Sequence, residues 1–272
     1  MSGISPTTEI VVCLKWVFQA NEPSDARFAG MSSADHAALE LALQWAEHTG
    51  GAVTAITAGP LAAETVLREA LACGVAHAIR VDAPVATDSA DVAAMIASAA
   101  GRAAWIWCGD YSTDNGSGSV PSFLAAALQA RQALGVINVS FDDGGIVATR
   151  RVDGGRREIL DVRAPAVISV EGATARLRRA SLTSMRTAVT AAIEVVTPTA
   201  PTTPMRTIQH TVHPYRPRAR VLAAPNASDA LDRVRSLTMS GAMATAQHDV
   251  ETLAPVAAAA RIMDALRDWG YL

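Results

Sequence analysis

Lysine is all but missing from this chain of 272 residues: Lys15 is the single example, and arginine supplies the rest of the basic charge. With alanine abundant as well, this reads as a compositional bias of the source and not as a functional signal. A basic excess is lacking too, since the formal net charge is −3, which argues against a nucleic-acid binder or a protein held on an anionic membrane. Cysteine is sparse. Cys13, Cys73 and Cys108 sit inside or beside apolar runs, so a secreted disulfide scaffold is not expected and a reducing cytoplasm is. No basic-then-apolar leader opens the sequence, and no apolar run reaches the roughly 18 to 20 residues of a membrane span, so the chain is not expected to be membrane-embedded.

Several chemical signatures are also absent. There is no GxxxxGK[ST] phosphate loop, and in Gly116-Ser117-Gly118 the third glycine of a dinucleotide fingerprint is replaced by Pro121. His210 and His213 lie in a proline-rich stretch without cysteine or acidic partners, so no metal site is expected. No Ser–His–Asp or Cys–His grouping can be singled out, and no catalytic residue is expected.

What is present is an alternation of apolar runs with helical periods. Half of the residues are hydrophobic, enough for one large core. Strands are expected at 9–17, 52–57, 77–81, 104–108 and 136–141, and helices from Asp35 to Thr49, Ala62 to Cys73, Asp88 or Ser89 to Ala100, and Val120 to Leu134. Such an order predicts an α/β fold with a doubly wound, mainly parallel sheet, whose ligand sits beyond the carboxyl ends of the strands. The stretch from Ala104 to Gly135 is the focus of this pattern. A strand runs into the polar loop Gly109–Gly118, holding Ser112, Thr113, Asp114, Asn115 and Ser117, and then into a helix start. A junction of that kind points backbone N–H groups and a positive helix end at an anion such as a nucleotide phosphate, although an ordinary βα turn would use the same residues.

Past Asp142 the pattern becomes antiparallel. A hairpin is expected over 145–162 about Asp153-Gly154-Gly155, followed by a strand at Ala166–Val170. The arginine-rich stretch from Gly172 onward is on its own terms a solvated loop or a docking surface. From Pro198 to Pro225 proline density excludes a helix, and an extended arm leads to a short helix ending at Met239 and an amphipathic helix from Val256 to Trp269. Two regions follow: an α/β domain at 1–197, and an arm with terminal helices at 198–272.

Certain segments resemble the β subunit of electron transfer flavoproteins. They are Val12–Val17 (V-[AV]-[VL]-K-x-V), Ala58-Gly59-Pro60 with Glu64–Gly74 (G-P…E-T-[IL]-R-x-A-L-A-M-G), Pro165–Val170 (P-A-V-V-T-V), and Arg178–Ser184. The resemblance implies a domain of the adenine-nucleotide-binding type that is not an enzyme by itself. It implies a heterodimer with an α subunit that holds most of the FAD, carrying electrons from a primary dehydrogenase to a quinone reductase or other acceptor. A nucleotide site follows by position: Cys13, Ser32, Ala58, Gly109, Ser112, Asp114, Asn115, Gly118, Ser119 and Val120. AMP is the usual occupant, a second FAD replaces it in bifurcating members, and an empty site is the third option. The family's basic residue after Gly109 is here Asp110, which would repel a phosphate if it faced the pocket, and its glutamine is Ser119. The resemblance also makes residues 172–186 a partner-recognition loop, with Leu182 as the anchor and Arg178, Arg179 and Met185 around it, and has the final helix dock on the α subunit. The alternative reading is a homodimeric adenine-nucleotide sensor of the same fold without a redox role.

Overall fold

The computed structural model describes residues 9–17, 29–85, 87–114, 116–142, 144–198, 229–239 and 252–270. The chain divides into a first unit ending at Met205 and a second beginning at Arg206.

The first unit alternates strand and helix as expected. β1 (Glu9–Cys13), α1 (Ser33–Thr49), β2 (Ala52–Gly59), α2 (Glu64–Cys73), β3 (His77–Asp82), α3 (Ser89–Ala100), β4 (Trp105–Gly109) and α4 (Val120–Leu128) come first. β5 (Arg131–Asp142), β6 (Gly145–Arg151), β7 (Arg157–Val162), β8 (Ala166–Val170), α5 (Leu182–Thr190) and β9 (Glu194–Val196) complete it. The strands form one sheet in the order β7-β6-β5-β8-β4-β1-β2-β3-β9. β5, β6 and β7 pair antiparallel, and every other pairing is parallel.

Helices cover both faces of the parallel part, and this is why β1, β4 and β8 are nearly continuous apolar runs instead of alternating. On one face, Leu39, Leu43 and Trp45 of α1 and Val66, Leu67 and Ala70 of α2 pack on Ile10, Val12, Trp105, Trp107 and Ile168. On the other, Ala93 and Ile96 of α3 and Leu124 and Ala125 of α4 pack on Val11, Ile56, Ile106 and Val167. Aromatics are few, and they gather at one place in the first core, where Trp45 meets Trp105 edge-on at 5.1 Å and Phe141 at 5.2 Å.

Local chemistry sets most helix ends. Ser32 caps α1 by accepting from the Asp35 N–H at 3.1 Å, and Asp88 caps α3 by accepting from the Ala90 N–H at 2.8 Å. Gly50 and Gly74 close α1 and α2 in the left-handed conformation.

Two expectations are corrected by tertiary contacts, and one strand is added. The helix expected to reach Leu134 ends at Leu128, and residues 131–134 open β5. Parallel pairing of Arg131–Ala133 with Ala166–Ile168 of β8, with the Arg131 N–H donating to the Pro165 carbonyl at 2.9 Å, outweighs the helical propensity of an Ala/Leu-rich stretch. The arginine-rich segment, expected as a loop, contains α5 from Leu182 onward. Its Ser, Thr and Val residues are poor helix formers, but Ser181 caps it by accepting from the Ser184 N–H, and Arg68 of α2 donates to the carbonyls of Ala188 and Ala191 at its far end. β9, too short to be seen in the sequence, adds to the edge of β3.

The second unit contains α6 (Ala230–Met239) and α7 (Pro255–Asp268), close to the two terminal helices expected. α7 leaves Val256, Ile262, Met263 and the following Trp269 exposed. From residue 199 the proline-rich stretch, with His210 and His213, lies outside the described residues. Among the described residues no helix is long and apolar enough to cross a membrane.

The segment leading to α5 is held by one arginine. Arg178 donates from Nε and Nη2 to the Glu40 carboxylate, each at 3.0 Å, its own N–H donates to Glu40 at 3.0 Å, and Nη1 pairs with Glu47. Both glutamates belong to α1, and Glu40 is buried. Replacing Arg178 by Met leaves a buried carboxylate without its main partner and is expected to destabilise the fold by about 1–3 kcal/mol. Urea unfolding of Arg178→Met beside Arg179→Met checks this; equal midpoints for the two variants would remove Arg178 from its structural role.

Candidate functional site

A cleft opens where β1, β2 and β4 end, at the rim expected for a parallel sheet. Its floor and rear are Cys13, Leu14, Lys15, Ser32, Asp35, Ala58, Cys108 and Gly109, and its front is Tyr111, Ser112, Ser117, Gly118, Ser119, Val120 and Pro121. Val85, Val92 and Ile96 make an apolar side wall. Of the residues expected in a nucleotide site, Cys13, Ser32, Ala58, Gly109, Ser112, Gly118, Ser119 and Val120 all line this one cleft. Asp114 is in the loop beside it, and Asn115 lies outside the described residues.

The loop is shaped by its own backbone. The Ser112 N–H donates to the Ser117 carbonyl at 2.8 Å, and the Gly116 N–H donates back to Ser112 at 2.9 Å, closing a tight turn. Gly118 passes so close to Asp110 that a Cβ there would fall 1.8 Å from the Asp110 carbonyl oxygen, so no other residue fits. The chain then enters α4 with Pro121 in the first turn, where a missing N–H costs nothing, and Ser119 makes no side-chain cap. First-turn amides of a helix lack intrahelical partners, so this end presents donors toward the cleft.

Two residues of the cleft were not singled out by the sequence pattern. Lys15 extends over the loop, its Nζ donating to Ser112 Oγ at 2.7 Å and to Asp114 Oδ1 at 2.7 Å. The only lysine in the chain is therefore the cation at the cleft mouth; its position in the Val12–Val17 motif was the available signal. Asp35 is the second. Its carboxylate accepts the Lys15 N–H at 3.2 Å, and the polar groups of Ser32 and the Gly109 N–H close by favour its charged form. A Cβ on Gly109 would lie 2.7 Å from Asp35 Oδ1 and 3.0 Å from the Ala34 Cβ, so glycine at 109 lets β4 approach α1. The ends of β1 and β4 and the start of α1 thus meet on one carboxylate.

Asp110 is not a lining residue. Its N–H donates to the Val170 carbonyl at 3.1 Å, and burial together with the neighbouring Glu171 charge pushes its carboxyl upward. The repulsion expected of this residue depended on its facing the cleft, and it does not line it.

The residues expected to recognise a partner fall elsewhere, Leu182 and Met185 on α5 and Arg178 and Arg179 just before it. Leu182, Met185 and Val189 are 75 %, 53 % and 65 % exposed and follow one another at helical spacing, so they form an apolar stripe on the surface. Arg179 is exposed beside them, while Arg178 turns inward to Glu40 and Glu47.

An open α/β sheet with a ligand cleft beyond its strand ends is the class this architecture defines. A family model described as the electron transfer flavoprotein domain matches residues 25–201, and the chain belongs to that family. Similar proteins include the electron transfer flavoprotein subunit beta of Thermoanaerobacterium thermosaccharolyticum, 30 % identical over 139 residues that make up 50 % of this chain and 53 % of the relative. Those of Mycobacterium bovis and Mycobacterium tuberculosis are 32 % identical over 156 residues, 54 % of this chain and 58 % of each relative. The chain thus spans a little over half the length of the curated relatives it matches. Identity at this level is that of a divergent member, in keeping with the altered loop.

Burial moves the Asp35 carboxyl from its ordinary 3.8 up to about 6, against the lowering effect of its hydrogen bonds. A raised carboxyl binds its proton more tightly in the folded chain than in the unfolded one. Its contribution is therefore most favourable below pH 4 and is lost as pH rises from about 4 to 6, a change of roughly 3 kcal/mol for a shift of this size. Asp35→Asn removes the titration. Denaturant unfolding at several pH values is expected to show the variant gaining on the wild type by up to that amount between pH 4 and pH 7; parallel profiles would contradict it.

Proposed function

We propose that this chain is the β subunit of a heterodimeric electron transfer flavoprotein. It binds an adenine nucleotide in the cleft and pairs with an α subunit that holds most of an FAD. The complex accepts electrons from a primary dehydrogenase and delivers them to a quinone reductase or another acceptor. The chain itself is a carrier subunit without catalytic residues. Its α/β domain does the binding, and the region beyond residue 197 clasps the partner.

The observation that carries this reading is the chemistry of the cleft. Apolar walls from Val85, Val92 and Ile96 suit the face of an adenine ring, and the crowded backbone at Gly118 suits close approach of a phosphate or ribose. Lys15, Ser112, Ser119 and the first turn of α4 are the groups that would hold the phosphate. For the phosphate to gain Lys15, the ammonium must turn from Asp114, exchanging one anion for another. These residues fit AMP. When bound by the complex, FAD supplies the electron-carrying ring, and this chain's part is to cover and orient it.

The stripe of Leu182, Met185 and Val189, with Arg179 at its edge, is the surface that meets the dehydrogenase: a small apolar anchor with a charged rim. Arg178 serves it indirectly, by fixing the segment that leads to α5.

Co-expression with the α subunit, denaturation of the purified complex and identification of the released nucleotides test the assignment. One FAD with one AMP is expected. Two FAD would make the complex of the bifurcating kind, FAD alone would mean an empty β site, and no complex and no flavin would favour a homodimeric sensor. Lys15→Met is expected to lower AMP retention about tenfold, the equivalent of roughly 1.4 kcal/mol, with the fold intact. Leu182→Ala should slow electron delivery from the cognate dehydrogenase without releasing flavin; unchanged transfer kinetics would refute the anchor.

A further inference from the structure

Cys13 is the last residue of β1, and Cys108 lies directly opposite it in the parallel register with β4. Both side chains project to the same face, since both belong to the core beneath α3 and α4, and both also line the cleft. The two are therefore cross-strand neighbours on one face of the sheet. Each remains slightly accessible, at 7 % and 4 %. Neighbouring strands are about 4.8 Å apart, inside the roughly 4.4 to 6.8 Å that Cα atoms of a disulfide span. Cys73, by contrast, belongs to α2 and the opposite core, where its thiol donates to the Arg178 carbonyl at 3.8 Å. Two neighbouring thiols that line one cleft are thus set apart from the third.

We propose that Cys13 and Cys108 are a modification site: a dithiol on the cleft floor that a hydroperoxide converts to an intramolecular disulfide. Hydrogen peroxide is the simplest such oxidant, small and uncharged enough to enter the cleft. The sulfur of Cys13 attacks one peroxide oxygen, and its proton passes to the departing hydroxyl. The O–O bond breaks, one water leaves, and Cys13 carries a sulfenic acid. The Cys108 sulfur then attacks the Cys13 sulfur, the S–O bond breaks, and the hydroxyl departs with the Cys108 proton as a second water. Two thiols have lost one electron each, and one peroxide has taken both. The neighbouring Cys13 thiol, and burial after it, hold the Cys108 thiol well above the ordinary thiol range, so the second step goes by direct passage of its proton to the departing hydroxyl. A bond between parallel neighbours departs from relaxed disulfide geometry, which makes it readily reduced, as befits a reversible mark. It draws together the ends of β1 and β4 close to Lys15, whose N–H holds Asp35, and to Gly109, which lies against that carboxylate.

The full-length chain is treated with excess hydrogen peroxide, quenched, unfolded in an alkylating reagent and weighed intact, then mapped by peptides. The expected product has lost two hydrogens and takes up one alkyl group in place of three, on Cys73. A small dithiol reductant such as dithiothreitol should restore all three. Cys73→Ser must still form the bond, and Cys13→Ala must not; the wild-type peptide map decides the matter even if the second variant folds poorly. Three alkylatable thiols after prolonged exposure, or a cross-link through Cys73 or to a second chain, would overturn the assignment. Resting on the nucleotide reading, saturating AMP should slow the reaction several-fold by covering the floor. A disulfide that forms at the same rate with AMP present counts against that reading and leaves the dithiol site standing.

Discussion

The carboxylate of Asp35 is the point on which the architecture of the cleft depends. It sits in the first turn of α1, two residues after the helix begins, accepts the Lys15 N–H just past the end of β1, and lies against Gly109 at the end of β4. Loss of this acceptor would leave the Lys15 N–H without its partner, a cost of about 1–3 kcal/mol. One carboxylate thus brings two strand ends and a helix start to a single place. The cost is that a carboxylate must be kept under cover, visible in its raised pKa. Gly109 belongs to the same arrangement, because only a residue without Cβ lets β4 come this near.

From that knot the rest of the site follows in sequence. Lys15 leaves β1 immediately after it, and its side chain reaches across to Ser112 and Asp114, joining the first strand to the loop that follows the fourth. Exposed ion pairs contribute little stability as a rule, so this contact is better understood as holding a cation in readiness at the mouth of the cleft. A parallel sheet makes such convergence natural: strands far apart in the chain, here separated by about ninety residues, end at the same rim, and each can contribute one group.

The outer surface of the domain is organised by arginine. Arg178 is fastened to Glu40 and Glu47 through a planar fork that matches two carboxylates, and Arg68 caps the far end of α5. Lysine could not replace either contact, having neither the fork nor the parallel donors. With both ends of α5 so held, the helix keeps Ala188 inward and leaves Leu182, Met185 and Val189 to face outward. An apolar stripe that the fold itself does not need is thus maintained in the open by charged residues behind it.

Much of this was legible before any coordinates. Continuous apolar strands alternating with capped helices determined the parallel α/β sheet, because a strand covered on both faces must be apolar on both, and Ser32, Asp88, Gly50 and Gly74 announced helix ends by chemistry that acts over three or four residues. The segments carrying the family resemblance were likewise visible as strings of residues. Where the pattern misled, the deciding contact was remote. Residues 131–134 are strand because β8 offers hydrogen bonds there, and 182–190 are helix because Arg68, over a hundred residues away, satisfies their carbonyls. Only the folded chain could show that Lys15 and Asp114 are partners, that Asp110 lies away from the cleft lining, that Arg178 faces inward while Leu182 does not, and that Cys13 and Cys108 are register partners on one face. Local structure is a matter of backbone propensity and near neighbours, which a sequence carries in order; a binding site is a matter of which distant groups share a few ångströms, and that is decided by strand order and register.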